Sequence, residues 1–204
     1  MLTMNAKQHL KLLTNLSRGK VYRRDELALY SQTVDRELKM LELNGALRKV
    51  GPGLYYYPKR SRFGLLPPKE QELLSKFLKT KEILLLSPNW YNTLGLGLTQ
   101  LSTTTKVYNT KRYETLELAG QKYDFVRPNN GFPKKLSREF LLVDLMNNLD
   151  KVGEDKNRLR DRISKKLDSF DKKLLFKLSE RHGKVSTRKF FRDLLNVDFH
   201  SSIA

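Results

Sequence analysis

Gln32, Thr33, Arg36 and Lys39 place polar side chains along one short stretch, spaced so that a helix presents them together. Gln can pair with adenine, and Arg with guanine, through two hydrogen bonds each in the major groove of DNA. Three basic pairs lie around that stretch: Arg23-Arg24, Arg48-Lys49 and Lys59-Arg60. Cations there meet phosphates, which positions a protein on a duplex without reading its sequence. Further along, Arg158, Arg160, Arg162, Lys165 and Lys166 crowd together and form a candidate second nucleic-acid surface. The chemistry expected is recognition of a polyanion.

Residue sets for catalysis are weaker. His9, His182 and His200 stand in separate segments with no histidine at helical spacing, so they read as lone surface histidines. Leu94-Gly95-Leu96-Gly97-Leu98 contains a Gly-x-Gly but no third glycine and no following lysine. A buried helix-to-strand junction is the better reading than a phosphate cradle. Glu114, Glu117, Lys122 and Asp124 could converge as a nuclease set from neighbouring strands, but no spacing demands it. The expectation is a protein that binds rather than catalyses, with no cofactor and no metal.

The bulk numbers agree. The chain has 204 residues, enough for one large domain or two small ones, and 39% of them are hydrophobic. Its formal net charge is +18, from 40 Lys+Arg against 22 Asp+Glu, which predicts a polyanionic partner. There is no cysteine, so disulfides, thiol catalysis and cysteine-ligated zinc are excluded. No apolar run is long enough to span a membrane, and no signal-peptide pattern opens the chain. A cytoplasmic location with no membrane partner is expected.

The elements that must position these side chains follow from periodicity. Asn5 to Leu16 is expected as a helix, then Lys20-Val21-Tyr22 as an extended piece, then a short helix from Arg24 to Leu29. After a turn at Tyr30-Ser31, with Ser31 as N-cap, a helix runs from Gln32 to Leu43. Its stripe is Val34, Leu38 and Leu41, and Asn44-Gly45 stops it. Two β-favouring runs then flank Gly51-Pro52-Gly53, which reads as a hairpin, with at least one of Tyr55, Tyr56 and Tyr57 in the core. Helix, helix, helix, hairpin is the order of a winged helix-turn-helix domain, whose second motif helix enters the major groove.

Pro58 to Pro68 reads as a connector, which puts domains at 1–60 and 61–204. Beyond it come a helix from Lys69 to Lys79, a buried strand at Ile83–Leu86, a short helix from Asn89, and strands at Thr103–Thr110, Thr115–Leu118 and Lys122–Arg127. Helices follow from Lys135, the first burying Phe140, Leu141, Val143, Leu145 and Met146. The expected class is α+β: an N-terminal winged helix-turn-helix followed by a mixed α/β domain with a mostly antiparallel sheet, ending in basic helices.

Thr33-Val34-Asp35-Arg36-Glu37-Leu38, then Leu41, Asn44-Gly45 and Gly53-Leu54-Tyr55-Tyr56, resemble the N-terminal domain of the AbiEi antitoxin family. Phe63-Gly64-Leu65-Leu66-Pro67-Pro68 and Asn92-Thr93-Leu94-Gly95-Leu96 resemble its second domain. The resemblance covers about residues 20 to 130, and the basic tail from Lys135 matches less sharply. It implies a bacterial antitoxin and autorepressor encoded beside a nucleotidyltransferase-like toxin, AbiEii, in abortive infection against phage. The N-terminal domain would bind inverted repeats upstream of the operon, and the C-terminal domain would oppose the toxin without needing a stable complex. Charge and periodicity by themselves argue only for DNA binding. The alternatives are a plain winged-helix regulator with a ligand-sensing or dimerising domain, and a nucleic-acid-processing enzyme.

Overall fold

The computed structural model describes residues 12–128 and 130–201, and the side chains of residues 12–128 and 130–195. The class is α+β. By backbone packing the chain divides into two units, Met1–Glu82 with Leu116–Lys122, and Ile83–Thr115 with Tyr123–Ala204.

In the first unit the order is β1 (Lys20–Arg23), α1 (Arg24–Leu27), α2 (Val34–Leu43), β2 (Arg48–Gly51), β3 (Leu54–Tyr57), β4 (Arg60–Ser61), β5 (Gly64–Leu65) and α3 (Glu70–Leu78). Most of the helix expected at Asn5–Leu16 lies outside the described residues; residues 12–14 are helical, and Leu12 and Leu16 are buried. β1, β3 and β2 form an antiparallel sheet in that order, with Val21 opposite Tyr56 and Lys49 opposite Tyr55. Of the three tyrosines only Tyr56 is fully buried, and its hydroxyl donates to the Leu66 carbonyl at 2.9 Å.

Leu27, Val34, Leu38, Leu41 and Leu47 pack with Leu12 and Leu16 into one core, which is why the stripe of α2 recurs at intervals of three and four. The helix expected from Gln32 begins two residues later, at Val34. Ser31 is not its N-cap; its Oγ instead accepts from the Thr33 amide at 3.1 Å and donates to Glu37. At the other end Gly45 takes the left-handed conformation at φ +72°, while Asn44 does not. Leu29, expected inside α1, follows it and is 82% exposed.

The stretch 58–68 contains the β4–β5 hairpin, and the first unit continues past residue 60 through α3. α3 satisfies groups that β1, at the sheet edge, would leave open. Glu72 Oε1 accepts from the Val21 amide at 3.1 Å, and Arg23 donates to the Lys76 carbonyl at 2.9 Å.

A four-stranded sheet has the order β6 (Leu84–Leu86), β7 (Thr104–Tyr108), β9 (Gln121–Val126), β8 (Thr115–Leu118); β6, β7 and most of β9 belong to the second unit, while residues 116–122 of the β8–β9 hairpin are counted with the first. β6 and β7 are antiparallel, and Ala119 and Gly120, both left-handed, turn β8 into β9. A 3₁₀ helix at Pro88–Leu94 follows β6. Then come α4 (Arg138–Asn147), α5 (Lys156–Lys165), α6 (Lys172–His182) and α7 (Val185–Ser201). Ser137, Asp155 and Asp171 cap α4, α5 and α6 by accepting from backbone amides at 2.8–3.1 Å. α4 is the central helix. Every residue from Phe140 to Met146 is buried, so the helix has no solvent face, and the other helices close around it. No helix among the described residues is long and apolar enough to cross a membrane.

Candidate nucleic-acid interface and a buried polar cleft

The first unit displays part of the expected basic set and has already committed the rest. Gln32, Arg36 and Lys39 are exposed, and so are Arg48 and Lys49 on β2 and Lys59 and Arg60 at the start of the next hairpin. None of these cations has a carboxylate within ion-pair distance among the described residues. Thr33 is exposed too, but its hydroxyl donates to Glu37 at 3.0 Å.

Arg23 and Arg24 are occupied. Arg23 pairs with Asp25 at 2.9 Å while reaching the Lys76 carbonyl, and its own amide donates to Glu26 at 3.1 Å. Arg24 grips Asp35 through two hydrogen bonds, at 2.8 and 2.5 Å, which clamps α1 to α2. The Arg24 hydrogen bond and charge hold the Asp35 carboxyl below the usual carboxylate range.

The basic cluster on α5 divides the same way. Arg158, Lys165 and Lys166 are exposed. Arg162 donates to the Leu96 carbonyl at 3.1 Å and faces Glu154 at 3.6 Å. It thereby holds the Gly95–Gly97 loop, where Leu94, Leu96 and Leu98 are buried. Arg160 is half-buried, its guanidinium 5.8 Å from the Phe190 ring centroid and its Nε without a hydrogen-bond partner.

The expectation of lone surface histidines fails at His182, which is 5% exposed. Its Nδ1 lies 3.0 Å from the carbonyl oxygens of both Asn130 and Gly131, and its ring meets Phe140 edge-on at 5.5 Å. Burial lowers its pKa, against the opposing effect of the two carbonyls. With two carbonyl oxygens as its neighbours, Nδ1 carries a proton and acts as the donor. His9 and the side chain of His200 lie outside the described residues. Glu114 pairs with Arg112 at 3.1 Å, and no group of three metal-ligating side chains is assembled among the described residues.

Sequence reasoning missed a buried polar cluster in the second unit. Asp144, in the middle of α4, is 1% exposed. Its carboxylate accepts from the hydroxyls of Tyr91 and Tyr108, from Lys106 Nζ at 3.0 Å and from Asn148 at 3.3 Å. Lys106 is itself buried on β7. Burial first, and the Asp144 charge second, push both tyrosine hydroxyls far above their ordinary range, so they stay protonated and act as donors. A charge buried at this depth persists only when paired and hydrogen-bonded, as here. The signal in the sequence was the lone carboxylate in Phe-Leu-Leu-Val-Asp-Leu-Met. Its partners, on β7 and in the 3₁₀ helix, are far away in sequence.

This cluster floors a cavity of about 170 Å³ lined by Lys106, Tyr108, Arg127, Asp144, Asn147, Lys151, His182 and Lys184, among others. A second cavity, of about 310 Å³, has Lys106, Asn148 and Lys151 in its wall together with Tyr91, Gln100, Ser102 and Thr104. Comparison of the chain with models of known protein families, with curated proteins and with solved structures finds no match in any of the three.

Proposed function

We propose that this chain is a double-stranded-DNA-binding regulator acting through its first unit as a winged helix-turn-helix. The observation that carries this reading is the pairing of a free polar face on α2, Arg36 and Lys39, with a two-stranded hairpin bearing free Arg48 and Lys49. Such a helix suits base edges in the major groove, and such a hairpin suits the flanking phosphates. Arg24 and Asp35 contribute indirectly, by fixing α1 against the helix that would enter the groove. The excess of cations over the whole chain supplies the attraction that is independent of sequence.

The resemblance to the AbiEi antitoxins extends the proposal. The DNA would be inverted repeats upstream of the chain's own operon. The second unit would oppose a nucleotidyltransferase-like toxin encoded beside it, without needing a stable complex with it, in the cytoplasm.

Fluorescence anisotropy on DNA from upstream of the gene tests the DNA reading. Arg36→Ala should cost about 1–3 kcal/mol of affinity and relax specificity at one position. Lys49→Ala should weaken all sequences about equally. Identical behaviour of the two variants in a competition assay refutes the assignment of α2. Growth rescue on co-expression with the neighbouring gene product tests the antitoxin role. A second reading, a regulator whose second unit senses a small ligand, is favoured by one observation, the cleft over Asp144.

A further inference from the structure

The cleft over Asp144 has a charge pattern that selects its occupant. The one carboxylate on its floor is fully engaged by two hydroxyls, an ammonium and an amide. Three cations of its lining, Arg127, Lys151 and Lys184, have no carboxylate within ion-pair distance among the described residues. All three side chains are exposed, and two of them start from anchored positions. Asn147 accepts from the Lys184 amide at 2.7 Å and donates to the His182 carbonyl at 3.0 Å, which fixes the backbone on both sides of Gly183. Arg127 lies against the Tyr113 ring at 5.8 Å. His182 also lines the cleft, its Nδ1 engaged by the Asn130 and Gly131 carbonyls. Cations without a carboxylate partner among the described residues and an already neutralised floor suit a small, multiply charged oxyanion.

We propose that this cleft binds a phosphate group, held by Lys151, Lys184 and Arg127 over the Asp144 cluster. The chemistry has two sources, free inorganic phosphate or the terminal phosphate of a nucleotide. In the nucleotide case the cavity beside Tyr91, Gln100 and Ser102, which shares Lys151 in its wall, receives the remainder. The site is separate from the DNA-reading residues of the first unit and does not depend on that reading.

Isothermal titration of the full chain tests it, with inorganic phosphate in one arm and a nucleoside monophosphate in the other. The wild type should bind saturably, and a K151Q/K184Q variant should bind about 10- to 100-fold more weakly, since two charge-assisted hydrogen bonds are lost. K111Q/K173Q, which removes two exposed charges elsewhere in the same unit, should bind like the wild type. Tighter binding of the nucleotide assigns the phosphate to a nucleotide, and equal binding assigns it to the free ion. Absence of saturable binding in both arms, or an equal loss in the control variant, overturns the proposal. A second measurement needs no variant: phosphate, but not chloride, should protect Lys151 and Lys184 of the wild-type chain from an amine-acylating reagent read by mass spectrometry. Equal labelling in both salts overturns it.

Discussion

Asp144→Ala leaves the Lys106 ammonium buried without its anion and two tyrosine hydroxyls without their acceptor. Breaking a buried ion pair by removing one partner costs about 3–5 kcal/mol. The orphaned hydroxyls add to this, at about 1–3 kcal/mol each before relaxation. Against a typical total stability of about 5–15 kcal/mol, the lower figure alone is a large fraction. With a urea m-value near 2–3 kcal/mol/M, the unfolding midpoint should fall by about 1–2 M. Trp90 is the natural reporter, as the only tryptophan and the neighbour of Tyr91 in the 3₁₀ helix. Removing both charges together, in K106M/D144L, should recover at least half of the loss, because a buried pair can often be replaced by apolar groups at little cost. A single-variant loss below about 1 kcal/mol would show that Asp144 is not held as a buried charge. A double variant as unstable as D144A would show that its pairing with Lys106 is not what stabilises it.

Three further outcomes follow from the same reasoning. DNA affinity should fall by roughly 10³ to 10⁵ between about 50 and 200 mM salt if six to ten phosphates are neutralised, and a nearly flat response measured by anisotropy refutes the electrostatic account. His182 has a folded-state pKa below its ordinary value of 6.5, so the stabilisation from keeping it neutral is complete above that value and is lost as pH falls through the folded pKa. Urea midpoints should therefore decline on acidification below that value, with a shallower decline in His182→Gln; equal slopes in both proteins count against burial of the neutral ring. At Gly183 a side chain would stand 2.4 Å from the Ser179 carbonyl oxygen, which is backbone and cannot move aside. Gly183→Ala should cost about 1–3 kcal/mol in thermal or urea unfolding, and a neutral result contradicts that close approach.

Much of the architecture was legible because it is local. The stripe Val34, Leu38, Leu41 defined α2, and the glycines around Pro52 defined the β2–β3 hairpin. The runs rich in Thr, Val and Tyr gave β7, β8 and β9 within one or two residues. What stayed hidden depends on pairing across distance. Which arginines are free turns on where Asp35, Glu154 and the Leu96 carbonyl lie after folding, so Arg24 and Arg162 looked no different from Arg36 or Arg158. Burial of His182 depends on carbonyls some fifty positions away. The cluster at Asp144 is the sharpest case. Tyr91, Lys106 and Tyr108 are separated from it by 53, 38 and 36 positions, and no periodicity within one element encodes their meeting.

The route of the chain constrains how its parts could ever be exchanged. It leaves the first unit after residue 82, returns for residues 116–122 and leaves again. The two units are therefore interleaved rather than strung in series, and no single cut separates them. A break at residue 60 strips away α3 and with it the Glu72 carboxylate that accepts from Val21 on β1. A break at residue 82 keeps α3 but leaves Leu118, whose side chain lies against Gly51, on the other piece. Transplanting the first unit onto another protein would need two grafts. A fragment ending at residue 82 would instead lack Leu118, which is fully buried.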